Sequence, residues 1–418
     1  MTYIEFFDKE ASENIAACLT FTPKRVIYLG DNEALIKKHI NNYKKVFKAR
    51  EQEIEFLYEI IKKSNLDKII EVLSDIVEKY ENCVFDITGG EEILNFALGI
   101  VYEKYPHKNI QISRFNLRNN IIFDCDKDGK TIYRDVPTLS IDENIKIYGG
   151  EILYGDIFED GTYKWELNDE FLTDIENIWK ICKTNVRYWN MQISIFEAIE
   201  KSGEKSDDGL TTSVSLACLE QYLSKNRIKY KKAKGIIASL IKLKLLKRFE
   251  ENKQGITVEY KNNQVKRCLT VAGQALEMKI YTTVKYLTDK DGNLIYNDSL
   301  NGVVIDWDGE FHDEETENIY DTENEIDVML MHGVVPIFIS CKNGVVTSEE
   351  LYKLNTVAER FGGKYAKKVL VATALDTKGD ADEYFRQRAK DMGIKIIENV
   401  FDDQELIRSL KNLSGTKI

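Results

Sequence analysis

The sequence predicts a multidomain α/β protein: a doubly wound N-terminal domain over residues 1–150, a linker and helical, winged-helix-like segment over 151–269, and a second α/β domain over 270–418. Three observations carry this. Short apolar runs near the start, Val26 to Gly30 and Val84 to Thr88, are separated by helix-length amphipathic stretches, the pattern of parallel strands joined by crossover helices. From Asp169 to about Thr270 the periodicity becomes mainly helical, and beyond it strands and helices alternate again. A chain of 418 residues is also long enough to expect two or three cores rather than one.

In the first domain, Tyr3 to Phe7 reads as a short strand and Val26 to Gly30 as a buried one. Glu33 to Phe47 and Leu66 to Tyr80 read as amphipathic helices, and Val84 to Thr88 as a second buried strand feeding a helix from Glu91 to Tyr105. Such alternation gives a Rossmann-like sheet with helices on both faces. Ile110 to Asp135 and Ile145 to Ile157 read as strand-rich hairpin segments, with Asp128-Gly129 as a turn. In the middle segment Tyr230 to Leu246 carries apolar residues at helical spacing. Thr257 to Tyr260 and Val265 to Leu269 read as a hairpin about Asn262-Asn263. The last domain reads as helix Val271 to Leu287, strand Val303 to Trp307, and strands Ile326 to Met331 and Val335 to Cys341 joined at His332-Gly333. Helix Glu349 to Phe361, strand Lys368 to Thr373, helix Ala381 to Met392 and strand Ile394 to Ile397 follow.

Composition narrows the function classes. With 43% hydrophobic and 31% charged residues the chain is an ordinary globular protein, and it has no apolar run of membrane length and no basic-then-apolar leader. A cytoplasmic protein with no membrane partner is expected. Seven cysteines without CxxC spacing and four histidines leave little material for a zinc cage and fit reduced thiols. The net charge of −12 argues against a generic nucleic-acid coat protein, but the charge is uneven. Lys225 to Arg248 holds ten Lys/Arg and no acid, while Asp306 to Asp327 holds eleven Asp/Glu and no Lys/Arg. As a recognition helix and wing, the basic stretch would set Lys231, Lys232 and Lys234 against a phosphate backbone; it reads equally as a solvated helix face. The acidic run reads as a solvated loop or a second metal site, and only its last member, Asp327, is given a catalytic role.

Two constellations carry chemistry. Gly30-Asp31-Asn32 and Thr88-Gly89-Gly90-Glu91 each lie where a strand ends and a helix begins, so backbone N–H groups would face the crevice at the carboxyl edge of the sheet. Neither is GxGxxG or a P-loop, which leaves redox or ATP chemistry without support, and each reads otherwise as a tight turn. In the last domain, strand alternation would bring Asp327 and Lys342 together at one sheet end, with Glu277 supplied by the preceding helix. Carboxylates that hold a divalent ion, beside an ammonium that orients water, are what phosphodiester hydrolysis needs.

The segments VIYLGDN and FDITGGEEILNFALG resemble the CARF domain, the CRISPR-associated Rossmann-like sensor that dimerises and binds cyclic oligoadenylates. That resemblance implies that Gly30, Asp31, Asn32, Thr88, Gly89, Gly90 and Glu91 line a cyclic-nucleotide pocket; Glu91-Glu92 stand where many relatives have Thr-Lys. The order of parts after residue 270 resembles a restriction-endonuclease-like, PD-(D/E)xK domain. Ser340 replaces the usual acid, and FISCKNG is similar to the corresponding motif of CRISPR ancillary nucleases that join one CARF domain to such a nuclease. The resemblance covers nearly the whole chain. It implies a homodimer activated by cyclic tetra-adenylate and cutting DNA and/or RNA, with Mg²⁺ or Mn²⁺ held by Glu277, Asp327 and the Cys341 carbonyl, and Lys342 orienting the water. Two alternatives stay open: a CARF and winged-helix regulator with an inactive nuclease fold, and a ligand-independent repair or resolvase-like nuclease.

Overall fold

The computed structural model describes every residue except 63, 117–119, 126–130, 158–159, 230–233, 311–322, 376–379 and 416–418. The chain begins with β1 (Thr2–Phe6), α1 (Ala11–Phe21), β2 (Arg25–Gly30), α2 (Glu33–Ala49), β3 (Glu55–Ile60), α3 (Leu66–Lys79), β4 (Cys83–Asp86), α4 (Glu92–Lys104), β5 (Ile110–Asn116), β6 (Ile121–Cys125) and β7 (Thr131–Asp135). The sheet order is β3-β2-β1-β4-β5-β6-β7, parallel through β5 and antiparallel beyond it. Strand order therefore reverses at β1, which puts a crevice above the carboxyl ends of β1 and β4. Helices α2 and α3 start where Asn32 and Asn65 accept N–H bonds from Leu35 and Lys68.

Three segments differ from the sequence reading. Helix α1 was not anticipated: Ala11 through Leu19 are all buried, so no polar face marks its period. The edge strand β3 was missed because Glu55, Glu59 and Ile60 face solvent and only Phe56 is buried. Residues 145–157 were expected as strands. Instead α5 (Ile141–Ile147) forms, since Ser140 and Glu143 close a reciprocal capping box, and only β8 (Glu151–Ile152) follows. The expected Asp128-Gly129 turn lies outside the described residues.

The middle segment is α6 (Asp169–Thr184), α7 (Val186–Ser202), β9 (Glu204–Lys205), β10 (Thr211–Ser215), α8 (Leu216–Lys225), α9 (Lys234–Lys242), β11 (Leu246–Glu251) and β12 (Gly255–Tyr260). Helix, strand, two helices and a terminal hairpin make a winged-helix unit whose sheet runs β11-β12-β10-β9. The wing is not the predicted one. Asn262 caps a helix, accepting from Val265 N, so 265–269 belongs to α10 (Asn263–Thr270), and β11 with β12 forms the hairpin instead.

The predicted helix over 271–287 forms but is shorter: Gly273, at φ 87°, sets its start by separating α10 from α11 (Gln274–Lys285). Then come β13 (Asp298–Asp306), β14 (Glu323–His332), β15 (Val335–Lys342), α12 (Ser348–Gly362), β16 (Lys367–Ala372), α13 (Asp380–Asp391), β17 (Ile394–Ile397) and α14 (Asp403–Lys411). The sheet order is β17-β16-β15-β14-β13-β8; β15 to β17 run parallel and the rest antiparallel. His332 pairs with Val335, so the β14–β15 turn is Gly333-Val334 rather than His332-Gly333. One apolar cluster joins the two sheets: Tyr28 and Val46 of the first half pack in it with Met329, Phe338 and Phe361 of the second. Polar ties reinforce that contact, with Asn144 Nδ2 donating to Phe361 O at 2.7 Å and Lys364 N donating to Glu10 Oε2 at 3.0 Å. Among the described residues no helix is long and apolar enough to cross a membrane.

Candidate active site

Asp327 and Lys342 meet because β14 and β15 form an antiparallel hairpin in which Val328 opposes Ile339. Counting outward, alternate residues of both strands present Glu325, Asp327, Ser340 and Lys342 at the open end. Asp327 Oδ2 accepts from Cys341 N at 2.5 Å and from Ser340 Oγ at 3.2 Å, and Lys342 Nζ lies 3.7 Å away. Ser340 therefore aligns the central carboxylate by donating to it. Cys341 turns its N–H to Asp327 while its thiol is buried in the core.

The neighbouring strand is shaped around the same point. Gly302 lies opposite Asp327 with φ 60°, and the Asn301 amide donates to Asp327 O at 2.8 Å in place of a ladder bond. Asn301 Oδ1 accepts from Gln274 Nε2 at 3.0 Å, and the same amide nitrogen donates to Glu277 Oε2 at 3.1 Å. Glu277 sits in the first turn of α11, only 8% exposed. A Cβ on Gly273 would stand 2.8 Å from Glu277 Oε1, so glycine serves both the left-handed backbone and the close carboxylate.

The electrostatics separate the roles. Burial, then the charges of Asp327 and Glu325, push Glu277 well above the usual carboxylate range. Burial and Asp327 raise Glu325, and burial raises Asp327 against the pull of Lys342 and the Cys341 N–H. Burial pulls Lys342 down, but Asp327 and Glu350 outweigh it and hold the ammonium above its ordinary value. Lys342 is thus a fixed cation at neutral pH, not a general base. Glu350 of α12, unremarked in the sequence, is its nearer partner at 3.1 Å. Glu325, a member of the acidic run for which the sequence predicts no catalytic role, joins the site. A cavity of about 470 Å³ opens over Glu277, Glu325, Asp327 and Lys342. Its rim includes Asn190 of α7, which donates to Asn343 O and so fastens the winged-helix unit to the end of β15. Among the described residues, no three His, Cys, Asp or Glu side chains are gathered tightly enough to hold one ion together.

At the other end of the molecule both glycine turns converge on the end of β1. A Cβ on Gly30 would meet Phe7 at 3.3 Å, and one on Gly89 would meet Phe6 O at 2.7 Å. Gly90, at φ 89°, rests on the Phe6 side chain. Thr88 is held by its N–H on Asp86 Oδ1 at 2.7 Å and by Phe115 N donating to its hydroxyl at 2.6 Å. Asn32 is a helix cap, and Asp31 and Glu91 are exposed. The loop from Phe7 to Glu10 completes this crevice; the sequence reading missed it along with α1. Of the proposed phosphate contacts, Lys234 is exposed at the start of α9, whereas Lys231 and Lys232 lie outside the described residues.

No family model and no curated protein matches the chain. Solved structures do. Protein VC1899 from Vibrio cholerae is similar with a TM-score of 0.71 and 16% identity, covering 99% of this chain and 98% of that one. Can2 from Sulfobacillus thermosulfidooxidans, solved in complex with cyclic tetra-adenylate, gives 0.66 and 13%, covering 98% of this chain and 99% of that one. A type III CRISPR defence DNA nuclease activated by cyclic oligoadenylate gives 0.50 and 12% over 90% of this chain; the chain spans 46% of that protein's length. The predicted multidomain α/β architecture is therefore shared, end to end, with solved folds of this kind.

Proposed function

We propose that this chain is a cyclic-oligoadenylate-gated, metal-dependent nuclease of CRISPR defence, acting as a cytoplasmic homodimer on DNA and/or RNA, with cyclic tetra-adenylate as the activator to test first. The observation that carries the reading is the convergence of Glu277, Asp327 and Lys342 on one cavity at the end of the second sheet. The full-length fold likeness to Can2 supports pairing that cavity with a nucleotide sensor.

The donor set fits a hard divalent cation: carboxylates whose mutual repulsion raises their pKa are the groups such an ion relieves. Glu277 and Asp327, with Glu325 and the Cys341 carbonyl beside them, would hold Mg²⁺ or Mn²⁺, which would supply Lewis-acid charge. With Oδ2 fixed by Ser340 and Cys341, Asp327 keeps Oδ1 for that role. Lys342, braced by Glu350, orients the attacking water and stabilises charge that grows on the phosphoryl oxygens. In the sensor, the Gly89-Gly90 backbone allows a ligand's phosphate or base close to the main chain.

The test incubates supercoiled plasmid and single-stranded RNA with the protein and Mn²⁺, with and without cyclic tetra-adenylate, comparing Lys342→Ala. Ligand-dependent cleavage lost in the variant is expected; equal cleavage removes Lys342 from the mechanism, and cleavage indifferent to ligand removes the gate. The regulator reading rests on Ser340, which adds a hydroxyl where a carboxylate is usual. It predicts ligand-sensitive duplex binding without strand breaks.

A further inference from the structure

The two halves of the chain line a second cavity, of about 710 Å³, whose lining includes neither glycine turn nor Lys342. Its sensor wall is Lys9, from the loop after β1, with Lys38 and His39 of α2 and Tyr148. Its other wall is Arg360 of α12, Lys364 and Lys368. Against these five lysine and arginine side chains stand two carboxylates, Glu10 and Glu359.

Much of this charge is uncompensated. Lys364 reaches Glu13 at 3.3 Å, and Lys368 reaches Asn355 at 2.7 Å and Glu359 at 3.8 Å. The Arg360 guanidinium donates to two carbonyls, Tyr148 O and Trp307 O, with Asp308 in its field. Lys9 and Lys38 make no ion pair or hydrogen bond among the described residues. The Tyr148 hydroxyl is buried beside Ser12. His39 registers the same field: burial, then Lys38 and Arg360, push it down to about 4.

Lys9 and Lys38, without ion pairs, and the Arg360 guanidinium, whose donors go to two carbonyls, leave the cleft with an excess of positive charge, the complement of a multiply charged anion. A single phosphate would leave most of such a volume empty and could not reach both walls. We propose that this interdomain cleft binds an oligophosphate chain, with Lys9 and Lys38 contacting it from the sensor half and Arg360 and Lys364 from the other. Because Lys364 is also the residue whose N–H and ammonium grip Glu10 and Glu13, occupancy bears on the contact between the halves. The site stands on the fold and does not depend on the nuclease reading.

The test uses the full chain and inorganic triphosphate, following the four histidine rings by NMR and binding by calorimetry. An anion beside Lys38 and Arg360 offsets the share of the His39 depression that these cations add to burial, so its midpoint is expected to rise at saturation. Lys9→Ala with Lys38→Ala is expected to weaken triphosphate about tenfold, while Lys44→Ala with Lys48→Ala, an equal charge change with two exposed lysines of α2, stays within about twofold. An unmoved His39 midpoint, or equal weakening in both double variants, overturns the proposal. ATP is the second arm: tighter binding than triphosphate assigns a nucleotide, equal binding the bare phosphate chain, and both uphold the site.

Discussion

Two clusters of buried acids lie at the ends of the two large sheets, and they do opposite things. In the first sheet Asp86, on β4, accepts from Tyr3 Oη at 2.7 Å, Ser113 Oγ at 3.2 Å and Thr88 N at 2.7 Å. Glu5 beside it, 1% exposed, has both carboxyl oxygens buried without partners, and burial followed by the charge of Asp86 drives its pKa well up. No lysine or arginine is among the groups that set either pKa, so burial raises both without a compensating cation, and the cluster serves as internal structure under the glycine turns. In the second sheet Glu277, Glu325 and Asp327 repel one another equally, but Lys342 stands among them and a cavity opens over them. Acid density alone does not distinguish a site. The ammonium and the opening do.

The largest effect expected from breaking this contrast is on turnover. On the proposed mechanism, in which the lost group acts on developing charge, Lys342→Ala should lower ligand-stimulated cleavage by about 10²-fold or more, with the melting temperature little changed. Initial rates on plasmid under saturating Mn²⁺ measure it. Rates within a few-fold of the unmodified protein would reduce the second cluster to the status of the first.

Amide substitutions should move stability in opposite directions. Asp86→Asn replaces a carboxylate that accepts three bonds, leaving at least one donor poorly matched, and should destabilise by about 1–3 kcal/mol. Asp327→Asn removes a charge that two other carboxylates oppose, so it should leave stability unchanged or improve it while abolishing cleavage. Urea melts at neutral pH without divalent ions read both. Destabilisation by both substitutions would mean that Asp327 is structural.

Acidity and metal sharpen the comparison further. In both clusters the folded-state pKa is raised above the unfolded carboxylate value of about 4. The associated stability is then complete below that value and is lost as pH rises through the folded values. Melting temperature should accordingly fall as pH climbs from the acid side. Mn²⁺ should restore the part that belongs to Glu277, Glu325 and Asp327, and should restore much less in Glu277→Gln. The part that belongs to Glu5 should not respond to metal. A metal effect undiminished in Glu277→Gln would place the ion elsewhere.

How much of this was legible in the sequence follows from how each residue is placed. Asp327 and Lys342 flank the apolar stretches 328–331 and 335–339, so period-two alternation about a short turn puts them at one sheet end. The positive φ of Gly273 leaves no mark in the sequence beyond the glycine itself, so periodicity carries the helix of Glu277 back to Val271. Glu350 is one acid among several on an exposed helix face, and only the tertiary approach of Lys342 singles it out. Helix α1 is buried on every face and defeats periodicity, and with it went the loop that closes the crevice and carries Lys9. The wing was misassigned because Asn262-Asn263 suits a turn and a cap alike, and the choice was made by Val265, Cys268 and Leu269 packing as a helical stripe.

The smallest expected effect tests the link between the regions. Lys234 is exposed at the head of α9, the position from which a winged helix meets a duplex, and the unit is tied to the end of β15 through Asn190 and Asn343. A lysine there contributes sequence-independent attraction, which counterion release makes salt-dependent. Lys234→Ala should weaken duplex binding only several-fold and uniformly across sequences, and should reduce the slope of log affinity against log salt by about 0.9. Fluorescence anisotropy over a salt series measures this, with Lys48→Ala, far along the chain on α2, as the equal-charge control. An unchanged slope in Lys234→Ala would return the basic stretch to a solvated surface and leave the path of nucleic acid to the rim around Asn190 and Lys342.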